Sequence, residues 1–218
     1  MRIHAEALLF DNDGTLVSSL ESVNRCWSRW AAEYGIAAED FARVELHGRP
    51  AVEIITELLP PGRAAEIPAA LARIERLEIE DVPGGVKLLP GTGELLAALP
   101  ADRWAVVTSA TGPLAAARLR EAGIDAPVLI AADDITRGKP DPEPYLLAAA
   151  RLGVDPARCV VFEDAPAGLA SGRAAGMRTV ALATTHDRDR LAADVVVTDL
   201  SQVSAQVTPD GVEIVASP

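Results

Sequence analysis

The sequence predicts an α/β protein in which a doubly wound, mostly parallel sheet carries one inserted, small, all-helical cap domain. Short apolar runs typical of β-strands recur along the chain, and turn residues and a helical pattern follow each of them. The alternation is interrupted once, by a long stretch with helical patterns alone. Continuous apolar strands that alternate with helices are typical of a parallel sheet with both faces covered.

The predicted strands come first in this scheme, because they define the sheet. The clearest runs are EALLF at Glu6–Phe10, WAVV at Trp104–Val107 and CVVF at Cys159–Phe162, with shorter candidates at Val128–Ile130 and Thr179–Leu182. Stretches rich in Ala, Leu and Arg lie between them and predict helices at Pro113–Ala122 and Pro144–Leu152.

The interruption lies directly after the first predicted strand. Residues 18–81 contain no convincing strand, so we expect them to form the cap, while 1–17 and 82–218 form the core domain. Apolar residues recur there at three- and four-residue spacing, which predicts a helix with one apolar face: Leu20, Val23, Trp27, Trp30, Ala31 and Tyr34. We interpret this aromatic stripe as helix packing rather than as a cofactor site.

Further helices are predicted in the cap at Asp40–Leu46, Ala51–Leu59 and Ala64–Glu80, with Pro60, Pro61 and Gly62 as a break. Near the C-terminus, VTPDGVEIV places turn residues between two β-branched runs. This pattern predicts a hairpin at the edge of the sheet.

Composition and charge exclude several classes of function. Of the 218 residues, 49% are hydrophobic and 24% charged, which is the balance of an ordinary globular protein. The formal net charge of −12 disfavours nucleic acids and anionic membranes as partners. A small anion could still bind where positive groups are concentrated.

The remaining global features predict a cytoplasmic protein. No apolar run approaches the ~20 residues of a membrane helix, and the N-terminus lacks the pattern of a signal peptide. Cys26 and Cys159 have no partner motif, so we expect small core residues in a reducing compartment rather than a disulfide or zinc site.

Four polar segments follow predicted strands or the loops beyond them. They are Asp11–Thr15, Thr108–Ala110, Arg137–Pro140 and Glu163–Asp164. Each alone could be capping or turn chemistry. Ligands of open α/β sheets bind outside the carboxyl ends of the strands, however, so we expect all four segments to meet at one rim.

The residue types at this rim suit phosphoryl transfer. Asp11, Asp13 and Asp164 would repel one another unless a cation joined them, and oxygen ligands of this kind suit Mg²⁺. A lysine, a hydroxyl and free backbone amides would hold a phosphate group. Asp11 could then act as nucleophile, and Asp13 could protonate the leaving alcohol and later activate water.

The motifs resemble those of the haloacid dehalogenase superfamily phosphatases. DNDGT resembles the first motif, while Thr108, Lys139 and Glu163–Asp164 match the next three in the family's order, and the helical insert falls where its C1 cap falls. WAVVTSATGPLA, GKPDPEPYLLAA and VFEDAPAGLASGRAAGM resemble the branch of glycerol-phosphate and 2-deoxyglucose-6-phosphate phosphatases. The resemblance covers residues 1–16 and about 88–183, is thin in the cap and ends by about Asp199.

This resemblance implies a Rossmann-like core and a role for each matching residue. Asp11 would be the nucleophile and Asp13 the general acid and base. Mg²⁺ would be held by the Asp11 side chain, the Asp13 main-chain carbonyl and Asp164, with Glu163 supporting it directly or through water. Thr108 and Lys139 would bind the phosphoryl group, and Ser109 and Asn12 would contribute main-chain amides.

Two positions depart from the family's pattern, and one cap segment could select the substrate. Asn12 stands where the family usually has an apolar residue, and Ser18 where relatives usually have Asp. In the HGRPA segment, His47, Gly48 and Arg49 resemble a substrate loop, although Gly48 could merely turn the chain and Arg49 could be solvated. A solvated role is favoured for Arg137, and His4 and His186 receive none.

Three functions remain open at this stage. The first is a Mg²⁺-dependent phosphatase that acts on small phosphorylated sugars or polyols as a monomer. The second is a β-phosphoglucomutase-like mutase, which the absence of a cap histidine at Val23 disfavours. The third is a non-catalytic, receiver-like phosphate-binding module. Receiver domains lack the helical insert, and without turnover Asp13 would have no function.

Overall fold

A parallel sheet of six strands lies at the centre of the computed structural model, which describes residues 1–46 and 49–217. The strands are β1 (Arg2–Ala5), β2 (Ala7–Phe10), β3 (Val17–Ser18), β4 (Lys87–Leu88), β5 (Trp104–Val107), β6 (Leu129–Ile130), β7 (Cys159–Glu163), β8 (Arg178–Leu182), β9 (Val195–Val197), β10 (Val203–Thr208) and β11 (Gly211–Ala216). The helices are α1 (Leu20–Tyr34), α2 (Ala38–Phe41), α3 (Ala51–Leu58), α4 (Ile67–Asp81), α5 (Thr92–Ala97), α6 (Gly112–Glu121), α7 (Glu143–Leu152) and α8 (Pro166–Ala174).

The order of strands in the central sheet is β6-β5-β2-β7-β8-β9, and each neighbouring pair is parallel. The chain runs from β2 outward to β6 on one side, and then from β7 outward to β9 on the other. β2 therefore lies at the topological switch point, where open α/β sheets bind their ligands. The predicted α/β class with a mostly parallel sheet is confirmed.

Apolar side chains cover both faces of this sheet. All residues of β2, β5 and β7 are buried. Phe10 of β2 stacks on Phe162 with ring centroids 4.8 Å apart and meets the edge of Trp104 at 6.4 Å. On the opposite face, Leu9 belongs to a cluster that contains Tyr145 of α7. Since neither face meets water, the strands read as continuous apolar runs rather than as alternating ones.

Helices α1, α3 and α4 pack around a separate apolar cluster. Trp30 of α1 is fully buried, stacks on Tyr34 at 4.6 Å, and donates its indole N–H to the carbonyl of Ala70 at 3.0 Å. Trp27 packs against Trp30 at 5.5 Å. The aromatic stripe of α1 thus forms helix-packing contacts, as the sequence predicts.

Two predicted helices in this segment have different bounds. The helix expected over Asp40–Leu46 spans only Ala38–Phe41, because α2 buries no residue that would stabilise further turns. The break expected at Pro60–Gly62 is largely occupied by a 3₁₀ helix over Pro61–Glu66, which continues into α4 at Ile67. Proline is compatible with the first turn of a helix, since its missing N–H would have no partner there.

A short antiparallel ribbon, absent from the sequence prediction, lies where the helical segment joins the rest. Val17 and Ser18 of β3 pair with Leu88 and Lys87 of β4. Two residues are too few for a periodic pattern, so only the pairing reveals this strand.

The prediction that the C-terminal hairpin extends the edge of the main sheet is wrong. Strands β10 and β11 form the hairpin, but β11 pairs with β1, and the three make a separate antiparallel sheet in the order β1-β11-β10. Val212 and Ile214 are fully buried in the main core cluster. The hairpin is therefore a second layer against the core.

Two global features can be checked directly. Both cysteines are free and buried, as expected of small core residues. Within the described part of the chain, every helix is too short or too polar to cross a bilayer.

Candidate active site

The loop after β2 turns tightly at the switch point. The N–H of Asp11 donates to Phe162 at 2.9 Å, and the carbonyl of Asn12 accepts from the N–H groups of Leu16 and Val17 at 2.9 and 3.0 Å. Gly14 has φ of +95°, and a Cβ there would overlap the carboxylate of Asp164. Glycine is therefore required for this turn to approach the end of β7.

Three buried carboxylates lie together at the rim. One oxygen each from Asp11, Glu163 and Asp164 lies within 4.8 Å of the others. Asp11 follows β2, Glu163 ends β7 and Asp164 comes next. Asp11 and Asp164 thus lie together as the sequence predicts, but the third carboxylate of the cluster is that of Glu163 rather than that of Asp13.

Lys139 reaches this cluster from the loop before α7. Its Nζ donates to Asp11 Oδ1 at 2.7 Å, to Glu163 Oε1 at 2.6 Å and to the carbonyl of Val107 at 2.9 Å. Burial lowers the pKa of this ammonium, but the two carboxylates more than offset that effect and raise it above its ordinary value. Lys139 is therefore a permanent positive charge beside Asp11.

A single ammonium does not neutralise three carboxylates. Burial raises the pKa of Asp11 well above its ordinary value, against the effect of Lys139, and Glu163 and Asp164 raise it further. Burial, followed by repulsion from Glu163, raises the pKa of Asp164 to about 7. All three carboxylates can therefore be ionised together only when protonation is replaced by positive charge beyond that of Lys139.

A divalent cation fits this donor set. The three carboxylates and Lys139 together carry a formal charge of −2 when all are ionised. Carboxylate oxygens are the ligands that Mg²⁺ prefers in proteins. The chemistry and burial of the cluster therefore suit a magnesium ion.

Two neighbours hold Glu163 in place. The hydroxyl of Tyr145 donates to Glu163 Oε1 at 2.7 Å. Gly168 of α8 packs against the same carboxylate so closely that a Cβ would overlap it. The sequence did not predict this role for Tyr145. A tyrosine on the apolar face of a predicted helix gives no local indication of which group its hydroxyl will contact.

Asp13 stands apart from the three clustered carboxylates. Its Oδ1 accepts from the hydroxyl of Ser19 at 2.7 Å, and its Oδ2 accepts from Arg118 Nη1 at 2.9 Å and from the Asn12 amide at 3.2 Å. The side chain is 21% exposed and faces a cavity. Ser19 and Arg118 escaped the sequence analysis, since neither lies in a recognisable motif.

The segment after β5 forms another part of the rim. Thr108 is buried, and its hydroxyl oxygen accepts from the N–H of Ala110 at 3.1 Å. Thr108 and Ser109 both line the cavity that Asp11 and Asp13 border. Among the described residues, the hydroxyl of Thr108 donates no hydrogen bond, so its proton is available to a ligand in the cavity.

This cavity, with a volume of about 360 Å³, lies between the rim and the helical segment. Its apolar wall includes Val23, Trp27, Ile54 and Ile74 from the helical segment and Leu114 from α6. Its charged side chains include Asp11, Asp13, Arg49, Glu75, Glu78 and Arg118. The chamber beside Asp13 therefore combines apolar surface with both signs of charge.

Two polar contacts cross this chamber. The hydroxyl of Thr111 donates to Glu75 of α4. Arg118 Nη2 of α6 donates to Glu78 of α4 at 3.0 Å. Both contacts connect α4 to the segment that follows β5, at the start of α6 and within it.

The cap residues singled out from the sequence have mixed placements. Arg49 lines the cavity, with a side chain 28% exposed that pairs with Glu57 at 2.9 Å. His47 and Gly48 lie outside the described residues. Ser18 is half-buried in β3, at the ribbon rather than in the cavity wall.

Two basic residues outside the rim behave differently. Arg137 is 69% exposed and pairs with Asp141 and Glu143, both at 3.3 Å, as expected for a loop arginine. His186 received no role from the sequence, but it is buried, with Nδ1 3.1 Å from the carbonyl of Asp164 and Nε2 2.8 Å from Glu45. Only the fold brings these residues together.

Comparison with known proteins identifies a family and several relatives for this chain. The haloacid dehalogenase-like hydrolase family matches residues 5–176. The chain is 40% identical to hexitol phosphatase A of Escherichia coli K12, over 96% of this chain and 98% of that protein. It is 34% identical to glycerol-1-phosphate phosphohydrolase 2 of Saccharomyces cerevisiae, over 88% and 80% of the two chains.

Similarity to solved structures extends over the whole fold. The crystal structure of CbbY from Rhodobacter sphaeroides in complex with phosphate superposes with a TM-score of 0.75 and 28% identity, over 91% of this chain and 96% of that one. The family match and both relatives cover most of the sequence. The chain therefore belongs to the haloacid dehalogenase-like hydrolases.

Proposed function

We propose that this protein is a Mg²⁺-dependent phosphatase that hydrolyses small phosphate monoesters through an aspartyl phosphate on Asp11. In this proposal residues 18–81 form a cap domain over a core of 1–17 and 82–218, and the protein acts as a monomer. The observation that carries the proposal is the placement of Asp11, which lies 2.7 Å from the Lys139 ammonium at the switch point.

The first half of the reaction transfers the phosphoryl group to the protein. The Asp11 carboxylate attacks phosphorus, while Lys139 and the Thr108 hydroxyl bind the phosphoryl oxygens, together with the main-chain amides of Asn12 and Ser109. Asp13 gives its proton to the leaving oxygen as the P–O bond breaks. A magnesium ion held by Asp11, Glu163, Asp164 and the Asp13 carbonyl would supply positive charge to the transferring group.

The second half regenerates the carboxylate of Asp11. Asp13, now ionised, accepts a proton from a water molecule as that water attacks phosphorus. The bond between phosphorus and Asp11 breaks, and inorganic phosphate forms. Asp13 must therefore reach the site that the leaving group vacates and the water enters, and its place in the cavity wall allows this.

The cavity supports phosphorylated sugars or polyols as substrates. Its volume of about 360 Å³ lies near the lower end of ligand pockets. Glu75 and Thr111 line it with groups that can hydrogen-bond hydroxyls, and Arg49 adds a donor. The names of two relatives, a hexitol phosphatase and a glycerol-1-phosphate phosphohydrolase, point in the same direction.

The test is phosphate release from a panel of sugar, polyol and nucleotide monophosphates with Mg²⁺. We expect release from small polyol and sugar phosphates, and we expect EDTA or Asp11→Asn to abolish it. Asp102→Asn makes the same change at an exposed surface position and should leave the rate unchanged. Equal rates for wild type and Asp11→Asn would exclude Asp11 as the nucleophile.

The same panel separates a phosphatase from a mutase. Val23 lines the cavity near the position where a β-phosphoglucomutase would carry a histidine. With β-glucose 1-phosphate as substrate, we expect glucose and inorganic phosphate. Glucose 6-phosphate as the main product would establish the mutase instead, and no turnover of any monoester would favour a non-catalytic module.

A further inference from the structure

Arg118 is a buried cation that the reaction described above does not use. It lies on α6, and its side chain is 5% exposed. Two of its helix neighbours, Leu114 and Leu119, are also buried in the main core. A charge in such surroundings is stable only when it is paired, so its partners indicate why it is there.

The guanidinium connects two carboxylates from different parts of the chain. Nη1 lies 2.9 Å from Asp13 Oδ2 in the loop after β2, and Nη2 lies 3.0 Å from Glu78 Oε1 on α4. Glu78 is itself nearly buried, with a side chain 9% exposed. Because guanidinium is planar, fixing one nitrogen on Glu78 also sets the direction in which the other meets Asp13.

Asp13 is thereby held at both of its oxygens. Ser19 donates to Oδ1 at 2.7 Å, while Arg118 donates to Oδ2. A carboxyl group with hydrogen bonds to both oxygens cannot rotate freely about its Cβ–Cγ bond. Its exposed part faces the cavity, where the leaving group of a substrate would lie.

We propose that Arg118 is a positioning residue that aims the Asp13 carboxyl at the leaving oxygen, and that Glu78 holds Arg118 for this task. The inference rests on the proposed phosphatase function. Arg118 acts through Asp13 and does not itself touch the reacting atoms.

The proposal predicts an effect that depends on the leaving group. When the P–O bond of a polyol phosphate breaks, the strongly basic alkoxide must receive the proton of Asp13. A p-nitrophenolate ion is weakly basic and leaves without that proton. Loss of Asp13 positioning should therefore slow hydrolysis of the polyol phosphate and leave hydrolysis of p-nitrophenyl phosphate nearly unchanged. The value of kcat/KM reports the steps up to release of the leaving group, so it measures this effect.

The experiment compares kcat/KM for glycerol 1-phosphate and p-nitrophenyl phosphate. In Arg118→Gln we expect kcat/KM to fall roughly 10²-fold for the alkyl ester and about threefold or less for the aryl ester. Asp13→Asn should change the ratio in the same direction. Arg118→Lys should restore part of the kcat/KM for the alkyl ester relative to Arg118→Gln. Glu78→Gln should lower kcat/KM for the alkyl ester by a smaller factor and leave that for the aryl ester nearly unchanged.

A matched control and the ratio itself protect this test from folding defects. Arg120→Gln alters an exposed arginine of the same helix and should leave both substrates unaffected. A variant that is partly unfolded loses both activities equally, so the ratio of the two kcat/KM values reports only on the folded protein.

Two outcomes would overturn the inference. An equal fall in kcat/KM for both esters in Arg118→Gln would show a structural role alone. If wild type releases phosphate from neither ester, the proposed function fails and this inference with it. Wild-type activity with an unchanged ratio in Arg118→Gln overturns the positioning role alone.

Discussion

Asp11 and Asp13 are two residues apart but have different surroundings. Asp11 is buried against Lys139 and two further carboxylates, whereas Asp13 is 21% exposed and is bonded by Ser19 and Arg118. In an extended strand residues i and i+2 share one face, but the chain turns directly after Asp11, where the carbonyl of Asn12 accepts from Leu16 and Val17. The turn leaves the Asp11 carboxylate in the buried cluster and brings the Asp13 carboxylate to Ser19 and Arg118. This division matches the proposed roles of nucleophile and proton donor.

The raised pKa of Asp164, about 7, predicts a pH-dependent stability. The folded protein without metal keeps a proton that the unfolded chain, with an ordinary pKa of 3.8, releases at lower pH. The free energy of unfolding should therefore fall as pH rises from about 4 to about 7. Metal competes with that proton, so Mg²⁺ should raise Tm more at about pH 8 than at about pH 5.5.

Thermal melts with Mg²⁺ and with EDTA at both pH values measure this effect. Asp164→Asn should remove most of the stabilisation by Mg²⁺ at the higher pH, because a ligand of the ion is lost. Asp210→Asn changes an exposed acid far from the rim and serves as the control. Equal Mg²⁺ shifts at the two pH values would contradict the prediction.

Asn12 predicts a stabilising substitution. Its side chain is fully buried, and its Oδ1 accepts no hydrogen bond from the described residues. An unsatisfied buried polar atom costs about 1–3 kcal/mol. Asn12→Leu keeps the branching at Cγ and the number of side-chain heavy atoms. It should raise the free energy of unfolding by about 1 kcal/mol in urea titrations and keep phosphatase activity, since only the main-chain amide is proposed to bind phosphate.

Asn24→Leu is the comparison for this experiment, because Asn24 is exposed on α1. It should change the free energy of unfolding by no more than about 0.5 kcal/mol. A clear loss of stability in Asn12→Leu would show that its amide contact with Asp13 outweighs the unsatisfied oxygen.

At the scale of elements, α8 and β7 approach each other at a glycine. A Cβ on Gly168 would overlap the Glu163 carboxylate, which Lys139 and Tyr145 hold in place. Gly168→Ala should therefore separate helix and strand, lower the free energy of unfolding by about 1–3 kcal/mol and reduce phosphate release.

A glycine in an open helix provides the contrast. A Cβ on Gly93 of α5 would meet nothing within 4 Å. Gly93→Ala should leave activity intact and stabilise the protein by about 0.5–1 kcal/mol, since alanine favours the helix. Similar losses in both variants would contradict the packing explanation for Gly168.

The elements differ in how far the sequence predicts them. Strands β2, β5 and β7 are apolar and bounded by turns, so local patterns identify them. Strand β1 was not predicted, because its four residues, RIHA, are too few for a clear alternating pattern and no turn signal separates them from β2. The hairpin at β10 and β11 was recognised, but its partner β1 lies at the other end of the chain, so its place in the fold was not predictable.

At the scale of the whole molecule, the helical segment and the rim enclose one cavity, which predicts substrate selection. Glu75 projects a carboxylate into this cavity. A second acid on the substrate would meet a like charge there, so wild type should hydrolyse glycerol 1-phosphate with at least about tenfold higher kcat/KM than phosphoglycolate. Glu75→Gln should narrow this difference.

Glu80→Gln tests whether the effect of Glu75 is local. Glu80 is exposed on the same helix, so its neutralisation changes the net charge equally without altering the cavity. It should leave the substrate preference unchanged. A similar narrowing in both variants would mean that overall charge, rather than Glu75, sets the preference.

The sequence by itself determined the α/β class, the helical insertion and the order of the polar segments, because strand periodicity and turn chemistry are local. It also identified the acids at the rim, since residues that follow parallel strands must share one edge of the sheet. Only the tertiary structure decided which side chains support them. The contacts of Arg118 with Asp13 and Glu78, and of Tyr145 with Glu163, join residues distant in the chain. Such contacts depend on how helices pack against the sheet, and no local pattern records that packing.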